Sequence, residues 1–176
     1  MKRLTYIFLG VLWCLPSLTI AYRSSEKTIE KSRQAFVFVN QQEKCLQIAF
    51  KQNDGTFAFL ENTPFSHKST KRFGETRSMQ HAYLFKTNDN LWHCIWSFEG
   101  APNKFAHQIS EDLIVWKLQN NVNLPNGISF DYPTVKKNDE NKYDIYFKNQ
   151  KEAYKISTSD FFNYSKPIKT HTRLYP

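Results

Sequence analysis

Leu91-Trp92-His93-Cys94-Ile95-Trp96, followed by Phe105-Ala106-His107-Gln108-Ile109, Ser110-Glu111-Asp112 and Trp116, is the middle one of three copies of a single pattern. The first copy reads Phe36-Val37-Phe38-Val39, Cys45-Leu46-Gln47-Ile48-Ala49-Phe50, Asn53-Asp54-Gly55 and Phe57. The last reads Lys142-Tyr143-Asp144-Ile145-Tyr146-Phe147, Ala153-Tyr154-Lys155-Ile156, Thr158-Ser159-Asp160 and Tyr164. Each copy is an aromatic strand, an apolar strand and an aspartate-bearing turn with an aromatic behind it. A repeat of roughly 50 residues is in the range of a propeller blade or another repeat array.

Side chains on a strand alternate between faces, so each copy can be split into two sides. Trp92, Cys94 and Trp96 share one face, and Leu91, His93, Ile95 and Ser97 the other. In the third copy Tyr143, Ile145 and Phe147 oppose Asp144 and Tyr146. Apolar residues on both faces suit a sheet packed between neighbouring sheets. The Ser/Thr/Asn-Asp pairs supply acceptors for turn backbone, so Asp54, Asp112 and Asp160 are expected to close the hairpin between a blade's third and outer strands. The expected architecture is all-β: a partial β-propeller of about three antiparallel blades near residues 35–62, 74–120 and 130–168, within a domain over 35–176. Composition agrees, with 15 Phe and 9 Tyr making up most of a 16% aromatic content, and these residues favour pleated, half-buried surfaces.

The chain has 176 residues, enough for one ordinary domain and too few for four to eight four-stranded blades. The array is therefore expected to be incomplete, with an uncovered last sheet that permits self-association. Either the chain is a fragment of a longer product or a partner covers that end.

Met1-Lys2-Arg3 and the apolar run Leu4 to Ile20, ending in Thr19-Ile20-Ala21, predict a cleaved signal peptide over residues 1–21. A polar stretch over 22–34 follows. An uncleaved anchor is opposed by Gly10 and Pro16, so no membrane association is expected after cleavage, and the mature chain is expected to be secreted or periplasmic. Cleavage leaves Cys45 and Cys94 in an oxidising compartment, where they either bridge neighbouring copies or remain buried thiols. No Cys-x-x-Cys occurs and the five histidines lack zinc-ligand spacing, so neither metal nor cofactor is expected.

Removing Lys2 and Arg3 leaves 22 basic against 16 acidic residues, a net charge of +6. The basic residues are scattered, with the densest run at Lys68-Ser-Thr-Lys71-Arg72, and the aromatics are committed to strands. Nucleic-acid binding would need a continuous basic face with exposed aromatics and is not expected. No Gly-x-Ser-x-Gly occurs, which argues against a serine nucleophile.

The segment Phe105 to Trp116 resembles the "apolar strand, Ser-x-Asp-Leu, x-x-Trp" hairpin of glycoside hydrolase family 43, five-bladed propellers that cleave arabinose- and xylose-containing polysaccharides. Tyr154 to Tyr164 is similar to the same hairpin one blade on. Tyr132-Pro-Thr-Val135 with Lys142 to Phe147 is similar to the segment that opens a blade, and Phe73-Gly-Glu-Thr-Arg77 resembles the glycine and arginine ahead of another opening strand. The resemblance implies an oligosaccharide or polysaccharide partner and inverting hydrolysis, in which one carboxylate activates water and another carboxyl protonates the leaving oxygen.

The motifs that carry those carboxylates depart from the family's pattern. Where the family has Arg-Asp-Pro, Arg77 is followed by Ser78 and Met79; where it has Pro-Glu, Pro133 is followed by Thr134. Asp131 and Glu75 are the remaining catalytic candidates, and Arg77 and Tyr132 the candidate substrate-binding residues. Trp92 and Trp96 are expected in the core, and Trp116 recurs as Tyr164 in a packing role. The expectation is a secreted glycoside-hydrolase-like propeller with weak or no activity alone, or else a non-catalytic carbohydrate-binding or protein-interaction module.

Overall fold

The computed structural model describes residues 34–40, 42, 45–61, 65–66 and 78–171. The leader at 1–21 and the candidates Glu75 and Arg77 lie outside these residues. The described strands are β1 (Ala35–Asn40), β2 (Cys45–Lys51), β3 (Phe57–Phe59), β4 (Phe65–Ser66), β5 (Met79–Lys86), β6 (Trp92–Phe98), β7 (Ala101–Ser110), β8 (Lys117–Asn123), β9 (Asp131–Lys137), β10 (Tyr143–Asn149), β11 (Glu152–Thr158) and β12 (Ile168–Thr170). They form three antiparallel sheets: β1-β2-β3 with β4 also on β2, β5-β6-β7-β8, and β9-β10-β11-β12. The fold is the all-β partial propeller that the repeats predict.

The two-sided strands explain the stacking. Cys94, Trp96 and Phe98 of β6 join Leu46, Ile48 and Phe50 of β2 in one core, while Ile95 of β6 and Phe105 of β7 join Ile145, Phe147, Tyr154 and Ile156 in a second. The middle sheet thus buries both faces. Trp96, Phe105 and Phe147 are completely buried, and burial of such a side chain stabilises by roughly 1.5–3 kcal/mol. Trp92 and Trp116 pack against the first core, as expected of packing residues. Cys45 and Cys94 are buried thiols, the second of the two readings open from sequence; burial pushes the Cys94 thiol far up.

Two of the aspartate turns are the same device. Ser110 Oγ accepts from Leu113 N at 2.9 Å, and Asp112 Oδ1 accepts from Ile114 N and Val115 N, both at 2.8 Å. One blade on, Thr158 Oγ1 accepts from Phe161 N at 2.8 Å, and Asp160 Oδ1 accepts from Phe162 N at 2.9 Å and Asn163 N at 2.8 Å. The trailing aromatic donates back to the same place: Trp116 Nε1 to Leu113 O at 2.9 Å, Tyr164 OH to Phe161 O at 2.8 Å. Both turns force the residue after the aspartate into the left-handed region, Leu113 at φ 67° and Phe161 at φ 58°. Each is thereby buried against the preceding blade, Leu113 in the first core and Phe161 over the faces of His93 and His107.

Asp54 does not belong with them. It accepts from Thr56 N at 2.9 Å and Thr56 Oγ1 at 2.7 Å in a hairpin closed by Gln52 N to Thr56 O. The same closure recurs from Thr87 N to Leu91 O and from Asn138 N to Lys142 O. A left-handed residue sits at the matching position of each: Gly55, Asn90 and Asn141. Those other two turns join the first and second strands of their blades, and Asp54 joins β2 to β3. Moreover β1 packs against β5 as β5 packs against β9, so β1 holds the innermost place in its blade. The first copy is therefore offset by one strand from its expected position, because a five-residue Asn-Asp hairpin and a Ser/Thr-x-Asp turn look alike in sequence.

Thr158→Val keeps the shape of the side chain and leaves the buried Phe161 N–H without its acceptor, which costs about 1–3 kcal/mol. Chemical unfolding should register that loss, and Ser159→Ala alongside it should change nothing.

Candidate functional site

A break in a strand's regular pleat re-aims its side chains, and two inner strands here are broken at the same place. In β5 the register with β6 shifts between Gln80 and Tyr83. In β9 the register with β10 runs from Thr134 opposite Tyr146 to Asp131 opposite Lys148, again with one extra residue on the inner strand. Gln80-His81-Ala82 and Asp131-Tyr132-Pro133 are thus equivalent positions in adjacent blades. His81 has φ 46° and Tyr132 has φ 50°. A non-glycine residue held there costs about 1–2 kcal/mol, and bulges of this kind re-aim side chains. Pro133 is compatible with the bulge because it needs no ladder acceptor.

The bulges bring the two residues together. The rings of His81 and Tyr132 lie 4.3 Å apart and edge-on, and His81 Nε2 stands 3.5 Å from Asp131 Oδ1, within ion-pair range when the imidazole is protonated. Strict alternation would put Asp131 and Tyr132 on opposite faces; the bulge lets both reach His81. Lys148 Nζ sits 5.7 Å from the Tyr132 ring centre. Tyr132 keeps 55% of its surface exposed, which leaves the aromatic available as a platform.

These residues border an open cleft of about 700 Å³ lined by Val39 and Asn40 of β1, Ser78, the β5 residues Met79 to Ala82, Glu99 from the turn after β6, and Tyr132 of β9. All three inner strands contribute. Asp131 lines a second cleft of about 470 Å³ whose walls include the polar groups of Asn103, Asn126, Ser129, Asn149 and Gln150. The amides are held in place: Asn149 Oδ1 accepts from Ser129 N at 3.2 Å and Ser129 Oγ at 2.9 Å, and Asn103 Nδ2 donates to Leu124 O at 3.3 Å. One cleft thus offers fixed polar groups and the other an exposed aromatic, the two kinds of contact that a hydroxyl-rich ligand uses.

Of the sequence candidates, Asp131 and Tyr132 are placed together at this site. His81, Gln80 and Glu99 were missed. The signal for His81 was its equivalence to Tyr132, visible only once the two blades are aligned with their extra residue. Glu99 and Asp131 are the carboxylates that line the two clefts among the described residues. No group of three or more His, Cys, Asp or Glu suited to a metal ion occurs among the described residues.

No protein-family model matches the chain, and no curated protein matches it in sequence. Among solved structures it is similar to a GH43 β-1,3-galactosidase determined with galactodeoxynojirimycin, at a TM-score of 0.51 and 9% identity, over 75% of this chain and 54% of that one. The chain thus spans about half the length of that neighbour. The likeness concerns the fold: the chain shares the propeller architecture of that neighbour, as three blades with a cleft at their inner strands.

The bulges predict an inverted glycine effect. In a regular strand glycine is less stable than alanine; at His81 and at Tyr132 the Gly variant should be more stable than the Ala variant by about 1 kcal/mol, since only glycine meets a positive φ without strain. Paired urea titrations of the two variants at each position measure this, and alanine winning at both would mean that the strands are unbulged.

Proposed function

We propose that this protein is a secreted carbohydrate-binding module built on glycoside-hydrolase-type blades, with little or no hydrolytic turnover of its own. The observation that carries the reading is the pair of equivalent bulges that set His81 against Asp131 and Tyr132 at the mouth of a cleft shared by three blades. Tyr132 offers an aromatic face to the C–H side of a sugar ring, Asp131 accepts from sugar hydroxyls, and His81 fixes the carboxylate. Gln80 and Glu99 add polar contacts on the opposite wall.

The weak-activity part of the reading rests on chemistry. Inversion needs an acid and a base set about 6.5–9.5 Å apart around a water. The two carboxylates that line the clefts among the described residues, Glu99 and Asp131, line different ones. The family's Arg-Asp-Pro and Pro-Glu carboxylates have no counterpart at Ser78 or Thr134. Arabinose- and xylose-containing polysaccharides are the glycans proposed from the hairpin resemblance. The galactosidase neighbour adds β-1,3-galactan to the panel, and export of the mature chain rests on the leader at residues 1–21.

Isothermal titration with arabinan, xylan and β-1,3-galacto-oligosaccharides tests the binding. One of them should bind, and Tyr132→Ala should weaken it at least tenfold, about 1.4 kcal/mol. Absence of binding across the panel would sink the reading, and aryl-glycoside turnover abolished by Asp131→Asn would replace it with a catalytic one.

A second reading, an interaction module, is favoured by the first blade. Phe57 and Phe59 are 40% and 53% exposed; Phe57 packs edge-on with Phe36 and Phe38, and Phe59 is tilted against Phe38. The third blade's outward face is instead polar, with Asp144 taking Lys155 Nζ at 3.0 Å and Ser157 Oγ at 2.6 Å. Two copies pairing their aromatic faces would bury apolar surface without stripping that ion pair of water. Sedimentation should show a dimer that Phe57→Ser with Phe59→Ser makes monomeric; a wild-type monomer at 100 μM or so would end this proposal.

A further inference from the structure

The seam between the second and third blades holds a chain of buried polar groups that the cleft does not use. His93 on β6 and His107 on β7 lie diagonally on the face toward the third blade, with His93 Nδ1 and His107 Nε2 2.9 Å apart and the rings within 16° of coplanar. His93 Nε2 is 3.0 Å from Thr87 Oγ1, which also contacts Asp89 Oδ1 and Leu91 O. A threonine hydroxyl has one proton. Thr87 gives it to the Asp89 carboxylate, so His93 Nε2 must carry a hydrogen and donate to Thr87. His93 Nδ1 is then an acceptor, and His107 Nε2–H donates to it.

This order of protons leaves His107 Nδ1 as a bare acceptor, and in the structure that atom is buried without a hydrogen-bond partner. Phe161 covers both imidazoles, with ring centres 4.5 Å from His93 and 5.1 Å from His107. Its carbonyl already accepts from Asn120 Nδ2 at 3.1 Å and Tyr164 OH at 2.8 Å, which fills its two lone pairs. The next proton to enter the chain therefore lands on His107 Nδ1 as a buried cation whose facing acceptor, the Phe161 carbonyl, is already shared by Asn120 and Tyr164.

We propose that the His93–His107 pair is a proton-responsive latch: neutral, it seats Phe161 and holds the third blade on the second, and on protonation it releases that blade together with the Asp131–Tyr132 half of the cleft. The latch stands whatever the cleft binds.

Burial sets the direction. It lowers His93 to about 4 against an opposing pull from Asp89, and with the His93 charge it lowers His107 to about 3 against an opposing pull from the Phe161 backbone. The other titratable groups lining the same pocket are Asp89 from the β5–β6 turn, Tyr143 of β10 and Asp160 from the turn after β11. Asp160 is held at about 2 by Asn163 and the Phe162 N–H, and Asp89 is lowered by its Thr87 hydrogen bond. Unfolded histidine titrates near 6.5. The unfolded chain therefore takes up protons first, and the stability these groups confer is complete above about pH 6.5 and drains away as pH falls toward 4.

Urea unfolding between pH 7.5 and 4 tests the latch in the full chain. Below about pH 6 the wild-type unfolding constant should rise by up to about 100-fold per pH unit, tenfold for each of two protons, and His93→Gln/His107→Gln should lose that steepness. An equal slope in the double variant would overturn the proposal. Should that variant fail to fold, imidazole NMR of the wild type decides: both rings neutral in the native state at pH 5 supports the latch, and either titrating near 6.5 overturns it. Hydrogen exchange at pH 5 should expose β9 to β12 ahead of β1 to β4, whereas simultaneous loss would contradict release of one blade.

Discussion

The middle sheet in this protein carries apolar side chains on both faces and is packed on both sides, and the residue driven across each seam is held by a single turn. Leu113 and Phe161 reach the preceding blade because the Ser/Thr-x-Asp turn pins three backbone N–H groups and the trailing aromatic and forces a left-handed residue at its centre. A left-handed leucine or phenylalanine is unfavourable alone. The burial it gains in the neighbouring blade offsets the strain, and the aspartate acceptors hold the loop in the one geometry that permits it. The spacing of the blades, and hence the convergence of β1, β5 and β9, follows from these seams.

The cleft depends on that convergence and on a second local cost. His81 and Tyr132 occupy the same bulge in adjacent blades, and only adjacency of those blades sets one ring against the other. Strain at equivalent positions in two inner strands, both opening on one cleft, is the pattern expected where side chains are aimed at a ligand. The seam that carries Phe161 also divides His81 from Asp131 and Tyr132. Loosening it separates the two halves of the site, which is how a buried imidazole pair on the outer part of the seam acts on a cleft at the inner strands.

The repeats and the two-faced strands were readable in the residues themselves: Trp96 and Ile95 face different cores, as alternation requires. Trp116 and Tyr164 were correctly paired as repeat positions. The first copy misled because Asn53-Asp54-Gly55 has the letters of one turn and the hydrogen bonds of another, and a strand's place in its blade is fixed by packing that no local pattern encodes. Asp131 and Tyr132 stood out through their neighbourhood with Pro133. His81 did not, since a bulge adds one residue to the count and hides the equivalence. His93 and His107 are fourteen residues apart, and their contact follows from strand register.

The claim on which the site rests is that bulges in two adjacent blades bring His81 and Tyr132 into contact. A nuclear Overhauser spectrum of the folded protein tests it directly. Rings 4.3 Å apart should give strong cross-peaks between the imidazole carbon-bound protons of His81 and the ring protons of Tyr132, lost in Tyr132→Leu. Cross-peaks that instead join His81 to residues of β6 alone, with none to Tyr132, would mean unbulged strands and no shared cleft.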